Sequence, residues 1–296
     1  MDIRLAEPDD ATALSALRRA VYSYSVMSPA SARHMITVRT PGEKCLQLVA
    51  VADDEVVGWG ATGLNTWTSE PGHAWVAIYV HPGHRRQGIG GALSDRVHEH
   101  LGGIGAQRAR IFADADAVDF AVRHGYEASR QMHYAGADPR NLPEQPSTPA
   151  DIRLAGLDEV DPRQAYTADT IASLDEPGDA PMDAVSYEDW LKDVWEAPGL
   201  DKGLSVAAMA GDEMVAFTAV ETDVDRAWAG MTGTVPAYRG RGLAKLVKSV
   251  ALRRCAAAGI TGAYTSNDDS NGPMLAINNW LGYRRIATQT GLVRPL

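Results

Sequence analysis

The sequence predicts an α/β (α+β) fold in two tandem domains, each a mixed central sheet flanked by helices. Three observations carry that prediction. At roughly 100–200 residues per domain, a chain of 296 residues suggests two. Short strand-like runs interleave with segments of helical period throughout. The chain also repeats itself, with four matches in the same order. Asp2-Ile3-Arg4-Leu5-Ala6 returns letter for letter as Asp151-Ile152-Arg153-Leu154-Ala155. Ala52 to Val57 is echoed by Ala210 to Val215, Pro82 to Gly90 by Pro236 to Ala244, and Gly125-Tyr126 by Gly282-Tyr283. Between the copies, Gly136 to Ala150 carries four prolines and no apolar periodicity, the pattern of an extended linker. The expected domains are 1–136 and 151–296, with the linker at 137–150.

In the first copy Ile3-Arg4-Leu5 alternates as a short strand, and Asp9 or Asp10 can cap a helix through Leu14, Leu17 and Val21. Leu46 to Ala52 and Val56 to Ala61 read as a hairpin around the acidic turn Asp53-Asp54. Trp75 to Val80 is a further strand, followed by a Gly-rich turn. The next helix places Ile89, Leu93, Val97 and Leu101 at four-residue steps and is expected to stop at Gly102-Gly103. In the second copy Leu243, Leu246, Val247, Val250, Ala251 and Cys255 share a helical face, and Gly259 ends that helix.

Composition narrows the function. A formal charge of −10, from 28 Lys+Arg against 38 Asp+Glu, argues against gripping a nucleic-acid backbone. No run of 18 apolar residues exists to span a bilayer, and the amino terminus lacks the apolar core of a signal peptide. Two cysteines, Cys45 and Cys255, make neither a disulfide framework nor a four-thiolate zinc site. A soluble cytoplasmic protein acting on small molecules is expected, with no nucleic-acid or membrane partner; the oligomeric state is not legible. All eight histidines fall in the first copy without an H-E-x-x-H pattern, so no metal is expected.

The strongest local chemistry is a strand, a short connection, a Gly-rich turn and a helix, present twice. One turn runs Arg85-Arg86-Gln87-Gly88-Ile89-Gly90, the other Arg239-Gly240-Arg241-Gly242-Leu243-Ala244. Small residues admit a ligand close to the backbone, and the first helical N–H groups lack internal partners. Those amides and the positive helix end suit a phosphate. Neither turn is a G-x-x-x-x-G-K-[ST] loop, and Gly88-x-Gly90 lacks the third glycine of a dinucleotide turn.

R-x-x-G-x-[GA] after a strand ending in Val-x-Pro resembles the acyl-CoA pyrophosphate turn of the GNAT superfamily of N-acyltransferases. The resemblance extends over both copies and implies two GNAT-like domains that use acetyl-CoA as acyl donor. It implies that Arg85, Arg86, Gln87, Gly88, Ile89, Gly90 and Gly91, and likewise Arg239, Gly240, Arg241, Gly242, Leu243, Ala244 and Lys245, hold the CoA pyrophosphate through main-chain amides. Val80 and Val235 would meet the pantetheine arm where two strands part. A later family signature, Asn followed eleven residues on by Gly and an aromatic, fits Asn271…Gly282-Tyr283. The first copy has Asp114…Gly125-Tyr126 there, so the second copy is the expected catalytic one and the first a degenerate or structural copy. The tandem arrangement also resembles the mycothiol synthase family and other two-domain acyltransferases.

The pattern breaks seven residues after that asparagine, where many members carry a tyrosine that protonates the departing thiolate. Here the position is Asn278, and in the first copy Ala121. An amide donates a hydrogen bond but is no general acid. Asn278 or a water would then stabilise the sulfur, with Tyr264 and Tyr283 as candidate substitutes. Glu221, after the run Val215 to Val220, is the candidate base, since Trp228 to Val235 holds no Asp or Glu. Asp158 to Glu196 contains twelve acidic and two basic residues, a wall that would attract a cationic amine or simply a solvated surface. Tyr187, Trp190, Trp195 and Met182 within it can line a pocket or pack helices. The expected reaction is acetyl transfer from CoA to a small primary amine by direct attack on the thioester. The alternatives are acetylation of an aminosugar thiol precursor and a non-catalytic CoA-binding or sensing role.

Overall fold

The computed structural model describes residues 1–296. In chain order its elements are β1 (Asp2–Leu5), α1 (Ala11–Val21), α2 (Pro29–Thr37), β2 (Leu46–Ala52), β3 (Glu55–Leu64), β4 (His73–Val80), α3 (Ile89–Ile104), β5 (Arg108–Asp114), α4 (Val118–Arg123) and β6 (Glu127–Ala137). The second series is β7 (Arg153–Gly156), α5 (Pro162–Ser173), α6 (Tyr187–Trp190), β8 (Val206–Ala210), β9 (Glu213–Asp223), β10 (Arg226–Thr234), α7 (Leu243–Ala257), β11 (Gly262–Asp268), α8 (Gly272–Trp280) and β12 (Arg284–Pro295). The order repeats, as the four sequence matches require.

Two compact units result, Met1–Gln131 with Gln289–Leu296, and Met132–Thr288. In the first, β1, β2, β3 and β4 form an antiparallel meander and β5 joins β4 in parallel. Residues 289–295 of β12 then pair antiparallel with β5. In the second, β7, β8, β9 and β10 repeat the meander and β11 lies parallel to β10. Residues 132–137 of β6 pair antiparallel with β11. Each unit thus completes its sheet with a strand that the sequence copies assign to the other. The limits differ from the 1–136 and 151–296 read from the sequence, because β5 and β11 would otherwise present an open edge. His133 accordingly belongs to the second unit, while the other seven histidines lie in the first.

Local chemistry explains the elements. Asp53 and Asp54 both take positive φ (51° and 62°), the conformation a two-residue hairpin needs. β2 alternates its faces: Leu48 and Ala50 pack with Ile89 and Leu93 of α3, whereas Val49 packs with Leu14 and Leu17 of α1. Asp10 stands before α1 without a side-chain cap; it accepts from the Glu7 N–H and takes both guanidinium nitrogens of Arg4 at 2.7 Å. α3 does not stop at Gly102-Gly103 but runs to Ile104, and Gly105 at φ 85° ends it. No helix is long and apolar enough to cross a membrane.

Candidate active site

In both units the parallel pair parts after three residues. β4 and β5 pair only at His73↔Arg108, Ala74↔Ala109 and Trp75↔Arg110. β10 and β11 pair only at Arg226↔Gly262, Ala227↔Ala263 and Trp228↔Tyr264. Beyond those points the two strands diverge toward the Gly-rich turn. In the second unit the opening is a cleft of about 910 Å³ whose walls are β10 from Trp228 to Thr234, the first turn of α7, Ser266 and Asn267 of β11, and the start of α8. Gly233 admits α5 to this strand: a Cβ there would collide with that of Ala172.

The turn at the head of the cleft has Gly240 at φ 76° and Gly242 at φ 77°, and a Cβ on either would meet nothing within 4 Å. The first bond across the N-terminal turn of α7 runs from the Leu246 N–H to the Gly242 carbonyl, and no side chain caps the helix. The amides of Leu243, Ala244 and Lys245 therefore have no acceptor within their own helix, and all three residues border the cleft. Positive φ and open space make a cradle that an anionic group such as a diphosphate fits. Arg239 borders it, its Nε donating to the Thr234 carbonyl and its Nη1 2.6 Å from Asp175. Lys245 stands with Nζ 3.5 Å from the centre of the Trp280 ring. Arg241 does not line the cleft; its guanidinium pairs with Asp151 at 2.7 Å. Val235 is buried, and Thr232, Gly233 and Thr234 take the wall position expected of it.

The first unit's turn has the same backbone and different surroundings. Arg86 at φ 63° and Gly88 at φ 83° precede an uncapped α3. Ile89 is buried like Leu243 and Gln87 stands where Arg241 does, but Phe120 of α4 lies within 3.5 Å of the Cβ position of Gly90, which also faces Val80. Arg85 donates toward the Val80 carbonyl and pairs at 2.9 Å with Asp116, beyond the end of β5. A ring and an ion pair thus stand by the opening; Gly91 has nothing within 4 Å.

β10 carries a bulge that β4 lacks. Ala229 pairs with Val220 and Thr232 with Thr218, so Gly230 and Met231 face the single residue Ala219. The β3–β4 register runs without a shift. Glu221 lies in β9 opposite Trp228, and its Oε1 is 3.9 Å from the Cβ position of Gly230, which borders the cleft.

Asn278 is buried; its Nδ2 donates to Oδ1 of Asn267, a cleft residue, while its own Oδ1 has no partner. Asn271 lines the cleft and caps α8, its Oδ1 accepting from the Met274 N–H at 3.3 Å. Tyr264 does not reach the cleft: its hydroxyl lies over Gly262, at the end of β11 away from the parting strands. Tyr283 is buried with an unpartnered hydroxyl, and burial pushes its phenol far above the usual tyrosine range. Tyr187, Trp190 and Trp195 stack on one another and do not border this cleft, nor does Met182, and Trp190 Nε1 donates to Asp169 at 2.6 Å. Of the acidic residues in that segment only Asp175 and Glu176 border the cleft, with Ala172 and Pro177 beside them.

Sequence reasoning missed Lys248. It is 1% exposed and borders the cleft, and its ammonium makes its one hydrogen-bond contact with the Met274 thioether at 3.9 Å. Burial alone pulls its ammonium down to about 7. A signal existed: the repeat puts Ser94, also buried, at the matching position of α3.

The sheet that parts before an uncapped Gly-rich helix start occurs twice, and the Acetyltransferase (GNAT) family profile matches residues 13–126. That match lies within the first unit and covers under half of the chain. The chain is 28% identical over 276 residues to a mycothiol acetyltransferase of Parafrankia sp. (strain EAN1pec), covering 84% of this chain and 83% of that protein. Among solved structures it resembles a tandem GNAT protein from the clavulanic acid biosynthesis pathway, with a TM-score of 0.75 at 20% identity and 99% and 98% of the two chains covered. A GCN5-related N-acetyltransferase from Sphaerobacter thermophilus gives 0.72 at 20% identity, covering 99% and 95%. The last two likenesses establish the fold.

Proposed function

We propose that the cleft of the second unit binds acetyl-CoA and transfers its acetyl group to a small primary amine. The observation that carries this reading is the cleft itself, with an uncapped helix start at one end and parted strands at the other. The diphosphate would lie on the amides of Leu243 to Lys245, with Arg239 beside it. The pantetheine arm would take the backbone groups of β10 that β11 leaves unpaired, as an added strand does. The thioester would then come to Gly230 and Met231, where a main-chain amide freed by the bulge would meet the carbonyl oxygen. Glu221, beside Gly230, takes the proton of the attacking nitrogen directly or through a water. Asp175 and Glu176 give the mouth a negative charge that draws in a cationic amine.

An aminosugar thiol precursor is the more specific acceptor suggested by the relative's name and by its match along most of both chains. Thiol release from acetyl-CoA, measured over a panel of simple amines and a thiol-bearing aminosugar amine against its own thiol background, tests both. Release with any of them supports acetyl transfer, and preference for the aminosugar supports the narrower reading. No release with any acceptor would overturn the proposal.

A further inference from the structure

The tyrosine that would protonate the departing sulfur is missing at position 278, yet the neighbouring helix offers another donor. Given the acetyl-CoA reading of this cleft, on which the inference rests, we propose that Lys248 is the catalytic acid that delivers a proton to the CoA sulfur as the thioester breaks.

The argument begins with placement. Lys248 Nζ touches Met274 of α8, and Met274 and Asn278, four residues apart, share one face of that helix. Asn278 in turn bonds Asn267, on the part of β11 that has left β10. The ammonium therefore stands at the wall where the strands part, six residues beyond Gly242. The Lys248 Cα is about 4.5–7.5 Å along the α7 axis from the amides of Leu243 to Lys245.

Its surroundings contain no carboxylate partner. On α7, Lys245 is one turn earlier and held over Trp280. From the segment after α5, Asp175 is occupied by Arg239, and Glu176 borders the same cleft. On β11, Asp268 accepts from Ser270. Beyond α8 the ring of Tyr283 is centred 5.6 Å from Nζ. The Asn278 Oδ1 and the Tyr283 hydroxyl are buried and unpartnered, and neither residue borders the cleft. A buried, unpaired ammonium is costly unless an anion comes to meet it. The anion that this reaction generates is the thiolate. The first unit closes the matching spot with neutral groups: Ser94 bonds His98, whose Nε2 lies 3.0 Å from the Tyr126 hydroxyl.

The step balances. The amine lone pair forms the C–N bond and the C–S bond breaks with its pair moving to sulfur. A Lys248 N–H proton passes to that sulfur to give the CoA thiol. The proton shed by the attacking nitrogen goes to Glu221 or its water, and the neutral lysine regains a proton from solvent.

CoA itself is the probe, which makes the test independent of the acceptor. Its thiolate absorbance is followed against pH when bound to wild type, Lys248→Met and Lys248→Gln, with affinity measured by calorimetry and folding by thermal melting. The bound thiol should ionise at least one pH unit lower in wild type than in either variant, a tenfold difference in thiolate. Thiol release in turnover should fall about 10²-fold or more in both variants. Equal thiol titration in proteins that all bind CoA would overturn the assignment of Lys248 and leave the acetyl-CoA reading standing. No binding of CoA by wild type would overturn both.

Discussion

The two units share a sheet, a helix and a turn with the same backbone; in the second that turn heads a cleft of about 910 Å³, and in the first a phenyl ring and an ion pair stand beside it. The differences are few. Phe120 crowds Gly90 where Ile277 lines the cleft beside Ala244, and Arg85 reaches Asp116 where Arg239 turns instead to Asp175. β4 runs straight where β10 bulges, and Ser94 stands where Lys248 does. The comparison teaches that the scaffold fixes the anion cradle, whereas a few side chains decide whether space and charge for chemistry lie beside it.

Ways to break that comparison follow from the residues that differ. The largest effect is expected from Glu221→Gln: steady-state thiol release should drop about 10²–10⁴-fold with acetyl-CoA binding unchanged. Lys248→Met should raise stability by about 1–4 kcal/mol in denaturant titrations, since it removes an unpaired buried charge. The pH dependence of that gain has a definite sign. Burial lowers the folded-state pKa to about 7 from the ordinary 10.5, so the unfolded chain binds more protons between those values. Wild-type stability therefore rises across that window. The advantage of the variant should be full below pH 7 and vanish as pH climbs past 10.5.

Ile277→Phe, which gives the second unit the ring that crowds the first, should weaken acetyl-CoA binding about tenfold, or 1.4 kcal/mol, by calorimetry. The smallest effect concerns the repeated Asp-Ile-Arg-Leu-Ala segment. Asp10 takes Arg4 through two bonds of 2.7 Å, whereas Glu159 meets Arg153 at 3.7 Å with both side chains 59% exposed. Asp10→Asn should cost about 1 kcal/mol, and loss of the Glu159–Arg153 pair no more than about 0.5. The hydrogen bonds from Arg4 hold the Asp10 carboxyl below its usual range. Its contribution is complete above the unfolded pKa and is lost as pH falls through the folded one.

The sequence made the repeat, the hairpin at Asp53-Asp54 and both Gly-rich turns legible, because each is written in neighbouring residues. It did not reveal that residues 132–137 and 289–295 complete the opposite units, since pairing between distant strands leaves no local pattern. The bulge at Gly230-Met231 was hidden for a related reason, a register shift being a property of two strands at once. Tyr264 has the right chemistry for an acid but points along β11 away from the cleft, a direction that residue type does not encode. Lys248 escaped notice because lysines on helices are almost always solvated, and α7 is covered on more sides than its apolar stripe indicates.

The central claim, that the turn before α7 receives the acyl donor, is tested most directly by equilibrium binding of acetyl-CoA to wild type, Gly242→Glu and Gly88→Glu. A carboxylate placed at a diphosphate cradle repels it. The account predicts one site per chain that survives Gly88→Glu and disappears in a folded Gly242→Glu. Undiminished binding and turnover in Gly242→Glu would contradict it.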